Sequence, residues 1–244
     1  MVDFLKPAFA AIVVFGLHSF VWAADEPDIV GLTAGLSPEQ TESVLTNAGF
    51  AFTKSDILSI TGTEISWTSA SYYSRQRDRD GYETLTVTYT SPPSTPAVWH
   101  VKREWQRSSQ SVVPFETMIN SLVAKYGNPS SRRDARYGST LVWHFNDGGQ
   151  KCKQHSSANA FINAGIAEVK RGGPDAALSC AGIAVDYNVQ FNDSPAGPVV
   201  SRMIATLADV RARATDEAKL NAYATEILRR KQEEQMKDSV APEL

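Results

Sequence analysis

The stretch YETLTVTYTSPPSTPAVWHVKREW, Tyr82 to Trp105, decides the fold. Its first half alternates Leu85, Val87 and Tyr89 with Thr84, Thr86, Thr88 and Thr90, the period-two pattern of a strand that buries one face. SPPSTP then interrupts the ladder, because proline has no N–H to donate. The second half sets Trp99, Val101 and Trp105 against His100, Lys102 and Glu104. Two such runs, parted by a short proline-rich loop, predict an antiparallel hairpin. An earlier strand, around Glu64 to Tyr73, joins it through RQRDRDG.

Helices flank these strands. Ser37 is placed to cap a helix that opens at Pro38, with Gln40 completing a capping box, and Thr41, Val44, Leu45 and Ala48 form its inward stripe up to Gly49. Downstream, PFETMINSLVAKYG (Pro114 to Gly127) places Phe115, Met118, Ile119, Leu122, Val123 and Tyr126 on one helical face. A strand with Leu141, Trp143 and Phe145 on one side follows, and then strands are expected at Gly165 to Lys170 and at Gly182 to Phe191. From Pro198 to about Asp238 the composition reads as helix. The prediction is an α+β fold: an antiparallel sheet of about five to six strands, short helices on one face, and a long C-terminal helix. Each early helix precedes a run of strands and ends in glycine, the outline of a tandem α-β-β-β unit.

The C-terminal segment carries two apolar stripes, Val200, Met203, Ile204, Leu207, Ala208 and Leu220, Tyr223, Ala224, Ile227, Leu228. Their centres lie twenty residues apart, about 200° after whole turns at ~100° per residue, so they face opposite ways on a straight helix. Either the helix breaks near Thr215, or it runs on and offers its second stripe to a partner. Leu220, Tyr223, Ile227 and Leu228 are the candidate partner surface, for an envelope protein or a second copy. A frayed tail that binds nothing is the alternative.

At the other end, the run from Ala8 to Trp22 is nearly all apolar and follows Lys6, with Val21 and Ala23 as the small residues of a signal-peptidase site. The expected organisation is a signal peptide over 1–23, an α+β domain over 24–194 and a helical segment over 195–244, exported to the periplasm with no later transmembrane segment. An uncleaved anchor is the rival, though the run falls short of the ~20 apolar residues a span needs. A net charge of −3 argues against general nucleic-acid binding. Cys152 and Cys180 are the only cysteines, and an exported chain with two predicts one disulfide rather than two free thiols.

Gly35, Leu36, Ser37, Glu39 and Gln40, with Gly127, Asn128 and Pro129, resemble the helix motif of small bacterial envelope proteins of the SmpA/OmlA and β-lactamase-inhibitor-like type. The resemblance implies short helices packed on an antiparallel sheet and a non-catalytic binding or assembly role. Against it, the chain is longer and carries no lipid-anchor cysteine.

Motifs for chemistry are sparse. His100, His144 and His155 lack zinc-ligand spacing, and neither a nucleophile motif nor a phosphate loop occurs, so no catalytic residue, metal or cofactor is assigned. Asp78, Asp80 and Glu83 around Gly81 faintly resemble a calcium loop but fit a charged turn better. SSRRDARYG, with Arg132, Arg133 and Arg136, is the most basic loop, suited to anionic headgroups or cell-wall polymer, or else simply solvated. Trp67, Trp99, Trp105 and Trp143 fall on expected strands and are read as core, with one or two as a ligand platform instead. The functional expectation is an exported, non-catalytic binding or assembly-accessory protein; the alternative is a small periplasmic hydrolase acting on envelope material.

Overall fold

The computed structural model describes residues 27–77, 81–107, 112–145, 155–173 and 175–238. In chain order the elements are α1 (Pro38–Asn47), β1 (Ala51–Ser59), β2 (Ser66–Arg77), β3 (Gly81–Tyr89), β4 (Val98–Gln106), α2 (Phe115–Tyr126), β5 (Ser131–Ala135), β6 (Gly138–Phe145), α3 (Ala158–Gly172), β7 (Ile183–Asn192), β8 (Val199–Asp209) and α4 (Val210–Asp238). The strands form one sheet in the order β1-β2-β3-β4-β8-β7-β6-β5, every neighbouring pair antiparallel. The fold is α+β, with a sheet of eight strands rather than five to six and a long C-terminal helix.

Register explains the packing. Leu85 lies opposite Tyr73 on one side and Arg103 on the other, and Val87 opposite Val101, so alternate residues of β2, β3 and β4 share a face. Val101, in turn, pairs with Leu207 across the central β4–β8 seam, and Leu207 with Val185. This face is covered by α1 and α2 and forms one core: Leu45 from α1, Phe115, Ile119 and Leu122 from α2, and Leu85, Val101, Trp105, Leu141, Trp143, Val185 and Leu207 from the sheet. The Ser37 capping box is present, with Gln40 N–H donating to Ser37 Oγ at 3.3 Å and Ser37 N–H to Gln40 Oε1 at 2.9 Å. Gly127 ends α2 at φ 76°, a left-handed conformation that glycine adopts without penalty.

The opposite face is only partly covered. Helix α3 and the start of α4 lie over Val142, Ala184 and Ala208, burying Phe161, Ile162 and Val210 against them. Asp186 on β7 accepts the N–H of Ala158 at 2.7 Å and so caps α3 from the sheet, while Ser157 Oγ accepts from Ala160. The two helices meet closely at Gly165, where an added Cβ would come within 2.9 Å of Val210 Cγ1.

Several expectations are corrected. Gly165 to Lys170 is part of α3, not a strand. The longer window from Ala158 shows Phe161, Ile162, Gly165 and Val169 buried at helical spacing. Val200, Met203, Ile204, Leu207 and Ala208 belong to β8, so helix begins only at Val210. That strand is central and covered on both faces at its end, which turns an alternating pattern into an apolar run with accidental helical spacing. Of the two alternatives for the C-terminal segment the continuous helix holds: α4 runs through Thr215, whose Oγ1 donates to Arg211 O at 3.0 Å. The helices occupy both faces of the sheet, not one. The expected signal segment lies outside the described residues. Among those described, no helix is long and apolar enough to cross a membrane.

Candidate functional site

At the end of the partly covered face that α3 leaves open, β5, β6 and β7 form a hollow of about 600 Å³. Its floor follows from register: Thr140 on β6 pairs with Asn188 on β7, and Gln190 on β7 lies opposite Gly138. These polar residues point away from the core because Leu141, Tyr187 and Val189 point into it. Asn188 Nδ2 donates to Thr140 Oγ1 at 3.0 Å, and Gln190 Nε2 to Asn188 Oδ1 at 3.3 Å, which orients a row of amides along the floor. Tyr137 stands at the rim, half exposed at 52%, its ring centroid 6.5 Å from that of Phe191, which itself packs on the core side against Phe115.

Arg133 and Arg136 line the same hollow. The nearby carboxylate, Asp134, is taken by Arg132 Nε at 2.9 Å and by Ser139 Oγ, and those two hydrogen bonds hold it below the usual carboxylate range. Among the described residues neither Arg133 nor Arg136 has a carboxylate partner. The guanidinium of Arg136 sits 5.1 Å from the Tyr137 ring, a contact that fixes its position without neutralising it.

A second concavity, of about 490 Å³, lies on the helix-covered face beside α2, near the β4–β8 seam. Its charges cancel internally. Glu83 accepts from Arg103 Nη2 at 2.5 Å and from Arg75 Nε at 2.9 Å, and Lys125 Nζ lies 2.9 Å from Asp28 Oδ2. Tyr126 donates to Asp28 O at 2.5 Å and its hydroxyl meets that of Tyr187 at 2.9 Å; burial raises both phenols above their ordinary range. Arg103 Nε is buried there without a hydrogen-bond partner, but the charged groups are paired with one another, and this cleft reads as the joint between the two ends of the sheet.

His144 and His155 meet at one aromatic ring, and His100 packs beside Trp99. His100, on β4, is pushed down to about 4 by burial and then by Lys102, and among the described residues it has no carboxylate partner. His144 stacks on Phe161 at 4.4 Å and His155 meets the same ring edge-on at 4.5 Å. Among the described residues no cluster of His, Cys, Asp or Glu could hold a metal ion. Glu83 is buried in its ion pairs and faces the core side, so it is no calcium-loop ligand, while Asp78 and Asp80 lie outside the described residues. Trp105 and Trp143 are core, as expected, and Trp99 packs half-buried under Arg213 with its Nε1 donating to Tyr89 O at 3.2 Å. Trp67 is half-buried on β2.

Cys180 is buried against α3, and Cys152 lies outside the described residues. Of the C-terminal surface, Leu220, Tyr223 and Ile227 are half-buried along α4 and Leu228 is 39% exposed. The sequence reading singled out Arg133 and Arg136 but not Thr140, Asn188 or Gln190. Their signal lay in the alternation of Ile183, Val185, Tyr187 and Val189, which puts Asn188 and Gln190 on the opposite face. No family model, curated protein or solved structure matches the chain.

Proposed function

We propose that the chain is an exported binding module, without catalysis of its own, and that its ligand is an acidic glycan of the cell envelope held in the hollow on β5–β7. The observation that carries this reading is the pair Arg133 and Arg136, free of carboxylate partners among the described residues, above a floor of Thr140, Asn188 and Gln190. Guanidinium groups match carboxylates in geometry and charge. The amides and hydroxyls suit sugar hydroxyls, and the exposed Tyr137 ring offers an apolar face for a pyranose. Such a lining suits holding a polymer more than transferring protons. The apolar leader with its small-residue cleavage site supports export, and the resemblance of the α1 motif to envelope proteins points the same way.

The test is a titration of the purified chain with polygalacturonate and with neutral dextran. Binding is expected for the acidic polymer alone and should weaken as salt rises. Replacing both Arg133 and Arg136 by alanine removes two exposed charged contacts, roughly 2 kcal/mol together and about thirtyfold in affinity. Equal binding of dextran, or an unchanged affinity in the double variant, would overturn the reading.

A further inference from the structure

The two edges of the sheet differ. β5 is five residues long and carries Arg132, Arg133 and Asp134, the short, charged form that resists strand pairing. β1 is nine residues long and exposed at seven of them, with Phe52, Ile57 and Leu58 at 55%, 67% and 53% exposure. Among the described residues its one strand neighbour is β2, so its outer edge pairs with no other strand. A long edge of this kind is a template for another strand.

We propose that β1 pairs antiparallel with β1 of a second copy about Ser55, joining two sheets into one continuous sheet. Charge identifies the partner. Lys54 and Asp56 flank Ser55 on one face of the strand, with Lys54 Nζ 3.5 Å from Asp56 Oδ1. Both lie over Tyr72, which donates its hydroxyl to Asp56 Oδ2 at 2.5 Å and whose ring centre is 4.4 Å from Lys54 Nζ. Reversed and laid beside itself, this strand sets each Lys54 opposite the other copy's Asp56, two opposite-charge cross-strand pairs on one face. Pairing β1 with β5 instead would bring Lys54 against the arginines of a shorter strand. The β1 ladder shifts register between Phe52 and Lys54 and again between Asp56 and Ile57, so the new pairing centres on the three regular residues between them, Lys54, Ser55 and Asp56.

Helix α4 points the same way. Arg213 sits over Trp99 of β4, Asp216 binds Ser91 just past β3, and Lys231 donates to Gly62 O in the turn between β1 and β2. The helix thus marches across the strand ends toward the β1 edge. Residues 232–237 continue beyond the last of these contacts and are exposed, Met236 at 67%. A second copy docked on β1 meets this overhang.

The charges supply a swap test by analytical ultracentrifugation of the mature chain up to ~100 µM, a range that detects a weak edge interface. The wild type is expected to dimerise. Asp56→Lys sets lysine against lysine and Lys54→Asp sets aspartate against aspartate, so each alone should weaken the dimer at least tenfold, an effect of ~1.4 kcal/mol. Their equimolar mixture should restore dimers, because one strand then carries two cations and the other two anions. Both side chains are exposed, so melting temperatures should stay near wild type. A monomeric wild type, a dimer indifferent to either substitution, or a mixture that fails to associate would overturn the proposal. So would a dimer that survives both single variants and is lost on truncation after Lys231, since the helix rather than the strand would then hold it.

Discussion

Glu83→Gln probes a buried ion cluster that joins β2, β3 and β4. Glu83 is 2% exposed, and its carboxylate is clasped by Arg75 and Arg103, whose side chains are 12% and 22% exposed. Arg75 also donates to Ala48 O at 2.5 Å, at the end of α1, and its guanidinium lies 4.2 Å from the Phe50 ring centre. The carboxylate therefore fixes the arginine that ties α1 to the sheet. Removing one partner of a buried pair costs about 3–5 kcal/mol because the remaining charge is stranded. Glutamine keeps the shape and one acceptor oxygen, so about 3 kcal/mol is expected at pH 7, or a melting-temperature drop of roughly 6–12 °C for a domain of this size. Burial raises the Glu83 pKa, but the charges and hydrogen bonds of Arg103 and Arg75 outweigh it, so the folded value lies below the ordinary 4.5. A depressed folded pKa means that the stabilisation is fully present above about 4.5 and is lost as pH falls through the folded value. The gap between wild type and variant in urea unfolding should therefore be full at pH 7 and narrow below pH ~4.5. Asp186 and Asp216 are shifted the other way by burial and change both proteins alike, so the difference isolates Glu83. A loss under about 1 kcal/mol at neutral pH, or a gap that does not close in acid, would refute the account.

Leu122→Asp should cost several kcal/mol, about 3 or more, because it puts an unpaired charge at a position 6% exposed in the α2 core, whereas Lys125→Asp gives up partly exposed contacts with Asp28 and the Tyr126 ring, about 1 kcal/mol; equal melting curves would place the helix face wrongly. Gly165→Val should destabilise by roughly 1–3 kcal/mol by driving α3 from Val210 and Ala214, where Gly→Ala substitutions on open helix surfaces normally stabilise, and circular-dichroism melts decide it. Cys152 and Cys180 should be joined in protein recovered from an oxidising compartment, seen as a two-hydrogen mass deficit without reductant; two alkylatable thiols would count against the pairing.

Strands with one wet face were legible in the sequence, and those with none or two were not. β3 and β4 alternate because one face meets the core and the other does not, and on β6 and β7 the same holds only at the end that α3 leaves open, where Thr140, Asn188 and Gln190 face away from the core. β1 is exposed on both faces, so AFTKSDILS shows no period, and β5 is too short and charged to stand out from a loop. β8 fails from the opposite cause: from Ala205 to Ala208 it is buried on both faces, and its apolar run matched a helix as well as a strand. α3 was misread because its alanines and glycine, small enough for close helix packing, weaken its apolar stripe. Of the candidate site, the arginines were visible as charge, but only register could set them above Thr140, Asn188 and Gln190.

The sheet order also shows where the two halves are alike and where they part. Each half runs helix, then four strands, and the last strands, β4 and β8, pair antiparallel at the centre, so the order reads the same inward from either edge. The helix starts are tied alike: Gly35 N–H donates to Val98 O and Val98 N–H to Leu36 O in the first half, while Phe115 N–H donates to Pro198 O and Val200 N–H to Val113 O in the second. That correspondence is what a repeated α-β-β-β-β unit produces about a local two-fold axis. The differences then become informative. The second half alone inserts a helix, α3, between its second and third strands, and that helix covers one end of the open face and leaves the basic hollow at the other. The first half keeps the long bare edge, and the second has a short, charged one. The proposed ligand site falls in the half that carries the inserted helix, and the proposed self-association edge in the half with the long edge strand. The two proposals therefore rest on separate residues, and variants at Arg133 or Arg136 should leave the oligomeric state unchanged.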